Sequence, residues 1–163
     1  MKIAVTGHRP NKLWGYNNNH PNYIKLGRVL RDTLICYEAK HIITGMALGV
    51  DTIFALVGLK LKQSNPDLIV ECAIPCRNHS SQWLKESVAI YNDILSRADI
   101  TTLVTDAPYS SHLMQKRNEY MVDNCDLLIA IWDGTSGGTA NCVKYAESRN
   151  KEIIRFDPKQ IIQ

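Results

Sequence analysis

Short apolar segments alternate with helical patterns from one end of the chain to the other. The segments that favour β-strands lie at 3–5, 41–43, 68–74, 100–104, 127–132 and 152–156. Between them, apolar residues recur every three or four positions and predict helices over about 21–37, 53–61, 80–96, 112–124 and 140–146. Helical crossovers of this length make neighbouring strands parallel. The sequence therefore predicts an α/β protein, a single Rossmann-like domain over 1–163 with a mostly parallel central sheet and helices on both faces.

The composition is that of an ordinary globular protein. The chain has 163 residues, of which 45% are hydrophobic and 21% charged, enough for one sizeable core. No stretch approaches the ~20 apolar residues of a membrane span. The N-terminal apolar run is too short for a signal peptide, so we expect a cytoplasmic protein without a membrane partner. The net charge of +3 suits an anionic ligand but is too small to predict a nucleic-acid-binding surface.

The five cysteines predict neither a disulfide framework nor a metal site. Their number is odd and they include no Cys-x-x-Cys pair, which favours reduced thiols. Cys72 and Cys76 stand four positions apart without a matching second pair, so zinc binding is not expected.

The loops that follow the strands supply the candidate site residues, because ligands of open parallel sheets bind beyond the carboxyl ends of the strands. These loops contain Thr6, Gly7, His8, Arg9, Gly45, Gly49, Asp51, Pro75, Asp133, Gly134, Thr135, Ser136, Gly137, Gly138 and Thr139. Three of the four loops contain glycine, and their convergence on one rim is more informative than any loop alone. The dinucleotide fingerprint G-x-G-x-x-G and the phosphate loop GxxxxGK[ST] are both absent, which disfavours an ordinary NAD enzyme or P-loop NTPase.

The loop at 133–139, Asp-Gly-Thr-Ser-Gly-Gly-Thr, is the strongest local indication of a ligand. It stands between a predicted strand and a predicted helix, an arrangement that directs free backbone N–H groups at an anion. Gly137 and Gly138 lack the Cβ atoms that would keep a phosphate or ribose from the backbone. Arg9 is placed to hold a phosphate through its guanidinium, although an ordinary surface arginine would give the same pattern.

Several other side chains have two interpretations each. Asp51 would accept hydrogen bonds from ribose hydroxyls, or it is simply an acidic residue favoured at a helix N-terminus. Asp133 has the same ambiguity. His8 is either an acid/base or donor group, or a polar turn residue. Trp83 and Trp132 could stack on a base, but aromatic residues of this kind more often belong to the core.

Four segments together resemble the YpsA-like branch of the SLOG superfamily, named for the Smf/DprA and LOG proteins. They are Thr-Gly-His-Arg-Pro at 6–10, Thr-Gly-Met-Ala-Leu-Gly-Val-Asp at 44–51, Ala-Ile-Pro-Cys at 73–76 and Trp-Asp-Gly-Thr-Ser-Gly-Gly-Thr at 132–139. The match is in motif order and extends over nearly the whole chain. The resemblance implies a Rossmann-like fold, binding of nucleotides, nucleotide sugars or single-stranded DNA, and a homodimer or larger homo-oligomer.

The LOG proteins, which are cytokinin-activating phosphoribohydrolases, allow a comparison by residue. The segment 114–121 resembles their helix with an Arg-Lys pair, and Arg117 falls on the catalytic arginine. The segment 134–139 resembles their glycine-rich motif, and Thr139 matches its threonine. The position of their catalytic glutamate is Cys142, a departure that matters because N-glycosidic cleavage needs a carboxylate.

These observations predict a ligand-binding protein and leave two alternatives open. Arg117 and Asn118, on the helix over 112–124, join the candidate ligand-binding residues, and a helical arginine is otherwise usually solvated. The expected ligand is a nucleoside phosphate or an ADP-ribose-like molecule, and no other cofactor is predicted. The alternatives are a nucleotide N-glycosidase, with Arg117, Asp133 and Asp51 as catalytic candidates, and a DprA-like single-stranded nucleic-acid binder.

Overall fold

The computed structural model describes residues 1–163 and contains one six-stranded sheet. Its strands are β1 (Lys2–Gly7), β2 (His41–Thr44), β3 (Ile69–Ile74), β4 (Ile100–Leu103), β5 (Leu127–Ile131) and β6 (Glu152–Phe156). They are arranged in the order β4-β3-β2-β1-β5-β6, and every neighbouring pair is parallel. The predicted α/β class, the Rossmann-like topology and the parallel sheet are confirmed.

Five main helices connect the strands, and their boundaries agree with the sequence patterns except at one end. They are α1 (Pro21–Cys36), α2 (Val50–Lys62), α3 (Lys85–Arg97), α4 (His112–Asp123) and α5 (Gly138–Ser148). A 3₁₀ turn at Pro10–Lys12 and a short α6 (Pro158–Ile161) were not predicted. The prediction that the third helix begins at position 80 was wrong. The Trp83 ring packs against His79 and Tyr91, with centroids 4.9 and 5.2 Å apart, and 80–84 forms turns instead.

The helices cover both faces of the sheet. On one face, α1, α2 and α3 pack on the strands in a core that includes Tyr23, Leu30, Phe54 and Ile94. On the other face, α4 and α5 enclose a smaller core built largely of small side chains. None of the helices combines the length and the apolar character needed to cross a membrane.

The centre of the sheet determines where a cleft can form. Strand β1 pairs with β2 on one side and with β5 on the other, so the chain winds away from β1 in both directions. At such a switch point the connections leave the carboxyl ends of the two strands towards opposite faces, and a crevice opens between them. The residues that follow β1 and β5 are therefore brought together although they are far apart in sequence.

Candidate functional site

A polar cleft of about 260 Å³ lies at the carboxyl ends of β1 and β5. Its wall consists of Thr6, Gly7, His8, Arg9, Asn11, Lys12, Ala47, Asp51, Met114, Arg117, Asn118, Thr135, Ser136, Gly137, Gly138 and Thr139. Ala47 and Met114 are the hydrophobic members of this set. Most of the site residues that were predicted from the sequence therefore line one cavity.

Five of the nominated residues do not line this cleft: Gly45, Gly49, Pro75, Asp133 and Gly134. Gly45 lies behind Arg117, because a Cβ there would stand 2.7 Å from the Arg117 Nε. Gly49, with φ +91°, makes room for the backbone of the first loop, since a Cβ would stand 2.7 Å from the His8 carbonyl oxygen. Pro75 is buried. Gly45 and Gly49 thus lie behind the cleft wall, where they leave room for Arg117 and for the His8 backbone.

Four wall residues were missed: Asn11, Lys12, Ala47 and Met114. Lys12 is the most informative, because its Nζ donates to Thr135 Oγ1 and to the Ser136 carbonyl oxygen, each at 3.2 Å. The available signal was Pro10, which begins a 3₁₀ turn one residue after Arg9 and so places Lys12 beside the cleft. A cation of the first loop therefore holds the glycine-rich loop of the fifth strand.

The glycine-rich loop is fixed by its own side chains. Asp133 Oδ1 accepts hydrogen bonds from Thr135 N at 3.0 Å and Thr135 Oγ1 at 2.6 Å, and Trp132 Nε1 donates to the Thr135 carbonyl oxygen at 2.7 Å. Helix α5 begins directly after this loop, and its N-cap residue, Gly137, offers no side-chain acceptor. The first N–H groups of α5 are therefore available to an external anion.

His8 and Asp133 connect the loops that follow β1 and β5. The buried His8 has its Nε2 2.7 Å from Asp133 Oδ1. Hydrogen bonds from Thr135 and His8 hold the pKa of Asp133 well below its usual range, so this carboxylate stays ionised. Because the same oxygen already accepts from Thr135, Asp133 braces the loop against the first strand.

Arg117 is buried, with only 4% of its surface exposed, and it forms the floor of the cleft. Its Nε donates to Asn118 Oδ1 at 3.1 Å and its Nη1 donates to the Gly45 carbonyl oxygen. Its Nη2 has no acceptor within the protein. Burial lowers the pKa of Arg117, and the Asp51 carboxylate opposes this shift. A buried guanidinium with unused donors is a strong anion-binding group.

Asp51 lies in the first turn of α2 and is also buried. Its Oδ2 accepts from the Ala47 N–H at 3.2 Å, whereas Oδ1 has no donor within the protein. Burial raises the pKa of Asp51, and the positive charge of Arg117 acts in the opposite direction. The site thus contains a buried cation and a buried carboxylate, each with hydrogen-bonding capacity to spare.

Cys142 occupies the second turn of α5 and is fully buried. Burial raises its pKa to about 12, so the thiol remains protonated near neutral pH. It is not part of the cleft wall. A buried, protonated thiol cannot act as the general base that a carboxylate would supply at this position.

Comparison with known proteins identifies the family. The model of the YspA SLOG family matches residues 3–161. The chain belongs to this family. The resemblance to the YpsA-like branch of the SLOG superfamily is thereby confirmed. Similar relatives include UPF0398 proteins of Bacillus thuringiensis strain Al Hakam and Bacillus cereus strain AH187. Each is 28% identical over 158 residues, covering 94% of this chain and 86% of the relative.

Solved structures with the same fold as this YspA SLOG protein include DNA processing protein A (DprA) from two bacteria. The Helicobacter pylori protein, whose single-stranded DNA binding mode has been described, superposes with a TM-score of 0.64 at 18% identity. DprA of Streptococcus pneumoniae gives 0.63 at 15% identity. The matches cover 95% and 94% of this chain but only 64% and 49% of those proteins. At these identities the likeness concerns the fold.

Proposed function

We propose that this YspA SLOG protein binds a nucleotide-derived small molecule, such as a nucleoside phosphate or an ADP-ribose-like compound, in the cleft between β1 and β5. The observation that carries the proposal is the position of Arg117. Its buried guanidinium, whose Nη2 has no acceptor within the protein, lines a cleft that the uncapped N-terminus of α5 also lines. Two sets of anion-binding donors therefore share one small cavity.

The position of Asp51 favours a ribosyl phosphate over a simple anion as the ligand. Its free Oδ1 is an acceptor in the same cleft wall as Arg117, and sugar hydroxyls are the natural donors for such an oxygen. Arg9 and Lys12 add positive charge at the exposed rim. A ligand with one phosphate and one ribose would use all of these groups.

Cleavage of the bound ligand is not part of the proposal. Cys142 takes the place at which a LOG-type enzyme needs a carboxylate, and it is buried as a protonated thiol. Asp51 is the one carboxylate in the cleft wall, whereas most glycoside hydrolases use a pair of carboxyl groups. We therefore propose sensing or sequestration of the ligand.

Single-stranded nucleic-acid binding is a second candidate, because DprA of Helicobacter pylori has this fold and binds single-stranded DNA. The net charge of +3 is small for a protein that holds a nucleic-acid backbone. An oligonucleotide therefore belongs in the same binding experiment as the mononucleotides.

Thermal unfolding with a ligand panel tests the proposal. The panel contains inorganic phosphate, ribose 5-phosphate, adenosine monophosphate, ADP-ribose and a single-stranded oligonucleotide. A small nucleotide at a hundredfold its Kd should stabilise the protein by about 2.7 kcal/mol, which raises Tm by roughly 5–10 °C. The bound nucleotide should be recovered intact by chromatography.

Gly138→Val locates the site in this experiment. A Cβ at Gly138 meets no atom within 4 Å, so the larger side chain occupies open space at the cleft and leaves the fold intact. This variant should keep the Tm of the free protein and lose the ligand shift. Gly27→Ala, in α1 with only ordinary contacts, should retain it. A full shift in Gly138→Val would refute the site, and stabilisation by the oligonucleotide alone would favour the second candidate.

A further inference from the structure

A second cavity of about 400 Å³ adjoins the cleft. Arg9 and Met114 belong to the walls of both cavities, so the two spaces share a boundary. The remaining wall of the second cavity is formed by Asn78, His79, Ser81, Gln82, Trp83 and Tyr109. These residues come from the loops that follow β3 and β4.

Hydrogen bonds hold the two loops together. The Arg77 N–H donates to the Ala107 carbonyl oxygen at 3.2 Å, and the Tyr109 N–H donates to Asn78 Oδ1 at 2.7 Å. The second bond uses the acceptor end of the Asn78 amide and leaves its NH₂ group without a protein partner. Hydrogen bonds between the two loops therefore fix the shape of the cavity, and the Asn78 NH₂ group is a free donor in its wall.

Aromatic side chains form part of this wall. The Trp83 indole is held edge-to-face against the rings of His79 and Tyr91, at centroid distances of 4.9 and 5.2 Å. Tyr109 stands at the rim with 55% of its surface exposed. The Tyr109 backbone is fixed by its bond to Asn78, whereas its side chain makes no hydrogen bond and no aromatic contact within the protein. Planar groups stack favourably on such side chains.

The polar groups of the second cavity are neutral apart from Arg9 at the shared boundary. Burial, reinforced by the charges of Arg117 and Arg9, lowers the pKa of His79 to about 3, so its imidazole is uncharged. Its Nδ1 lies 3.5 Å from the Tyr91 hydroxyl, and its Nε2 has no partner within the protein. The amides of Asn78 and Gln82 add neutral donors and acceptors. This contrasts with the charged, glycine-rich cleft beside it.

We propose that the second cavity is the base subsite of the ligand, receiving a heteroaromatic nucleobase whose ribosyl phosphate lies in the neighbouring cleft. The inference rests on the proposed function and adds where the protein distinguishes one nucleobase from another. Trp83 and Tyr109 supply stacking surfaces, and His79, Asn78 and Gln82 supply hydrogen bonds to the edge of the base. The structure thus divides ligand recognition between a phosphate end and a base end.

Titration calorimetry with ribose 5-phosphate and adenosine monophosphate separates the two ends. Tyr109→Ala and Trp83→Leu should weaken binding of adenosine monophosphate by roughly 5- to 150-fold, the range expected for one stacked base. Both variants should bind ribose 5-phosphate as the native protein does. Trp83 is packed in the protein, whereas Tyr109 is exposed. A loss of affinity in Tyr109→Ala therefore does not arise from a folding defect. Tyr16→Ala is the matched control: Tyr16 is also 55% exposed but lines neither cavity.

The outcomes distinguish this inference from the proposed function. Equal affinity of ribose 5-phosphate and adenosine monophosphate, unchanged in Tyr109→Ala, would overturn the base subsite and leave the phosphate cleft standing. If neither compound, nor a pyrimidine monophosphate, nor ADP-ribose binds the native protein, both proposals fail. Binding of an oligonucleotide without binding of any mononucleotide would also overturn both.

Discussion

The burial of Arg117 depends on a residue from a different part of the chain. Gly45, 72 positions earlier, accepts a hydrogen bond from the guanidinium through its carbonyl oxygen and lacks the Cβ that would displace it. Arg117 can therefore lie under the cleft instead of extending into water. A site residue and the glycine that makes room for it form one unit.

Gly45→Ala should weaken binding of adenosine monophosphate on the order of tenfold, the effect of losing or misplacing a hydrogen bond to a charged group. The new Cβ would stand 2.7 Å from Arg117 Nε and 2.8 Å from its Cδ, so the guanidinium must move. The measurement is the Kd by calorimetry, with Tm recorded for the free protein.

Gly58→Ala is the control for this variant. Its Cβ would stand 2.0 Å from Ile42 Cδ1, the end of a flexible side chain outside the cleft, so it also introduces crowding. It should change Tm but leave the Kd unaltered. An unaltered Kd in Gly45→Ala would mean that Arg117 does not contact the ligand.

Sequence patterns could not reveal this relationship. Arg117 stands in a helical segment where an arginine is usually solvated, and only the resemblance to LOG proteins pointed to it. Its burial follows from how α4 packs beside the loop after β2, which no local pattern encodes. The same holds for Lys12, whose contact with Thr135 joins positions that are 123 apart in the chain.

At the scale of the elements, a buried carboxylate links β2, β3, β4 and α4. Glu71 accepts from Tyr120 OH at 2.6 Å and from Thr102 Oγ1 at 2.9 Å, and His41 Nε2 lies 2.6 Å from its other oxygen. Burial alone would raise the pKa of Glu71. The hydrogen bonds from Tyr120, Thr102 and His41 outweigh burial and lower it.

Tyr120→Phe should lower the free energy of unfolding by about 1.5–3 kcal/mol at neutral pH, because it removes a hydrogen bond to a charged group. Since the folded-state pKa of Glu71 lies below its usual value of 4.5, the stabilisation is present above that pH. It is lost as the pH falls through the folded-state pKa. The difference between variant and native protein should therefore shrink on acidification.

Urea unfolding at a series of pH values measures this difference, and Tyr145→Phe is the matched control. The Tyr145 hydroxyl also donates to a carboxylate, that of Asp123, but the pair is exposed, so little change in stability is expected. A constant difference between Tyr120→Phe and the native protein from neutral to acidic pH would show that Glu71 is not the titrating partner.

The elements themselves were largely predictable, for a physical reason. Strands covered on both faces are continuous apolar runs, and the helices between them carry one apolar face. Both kinds of segment can therefore be recognised in the sequence. The segment 80–84 was not predictable as a turn, because its conformation depends on the packing of Trp83 against Tyr91. The same turn forms a wall of the second cavity.

At the scale of the whole molecule, the two layers around the sheet enclose most of the thiols. Cys72, Cys76, Cys125 and Cys142 are buried, and Cys36 is exposed at the end of α1. Burial raises the pKa of Cys72 and Cys142 to about 12 and that of Cys125 to about 11. Reaction of Cys72, Cys125 and Cys142 with a thiol reagent therefore requires the layers to separate, and reaction of Cys76 requires the loop after β3 to open.

Labelling of the native protein with Ellman's reagent should show one fast thiol per chain, with the other four reacting only as the protein unfolds. Cys36→Ser should remove the fast phase and leave the slow phase unchanged. A nucleotide that binds the cleft should slow the four buried thiols further. Two or more fast thiols in the native protein would show that a layer, or the loop after β3 that holds Cys76, opens without unfolding.

The position of the cleft between β1 and β5 also has a consequence for synthesis of the chain on the ribosome. His8 and Asp133 meet across 125 positions, so the site does not exist until most of the polypeptide has emerged. Until then β1 has only β2 beside it, and its other edge is open to wrong partners. Incomplete chains would thus lack both the central strand pairing and the stabilisation by ligand, and the proposed nucleotide would favour finished copies over unfinished ones.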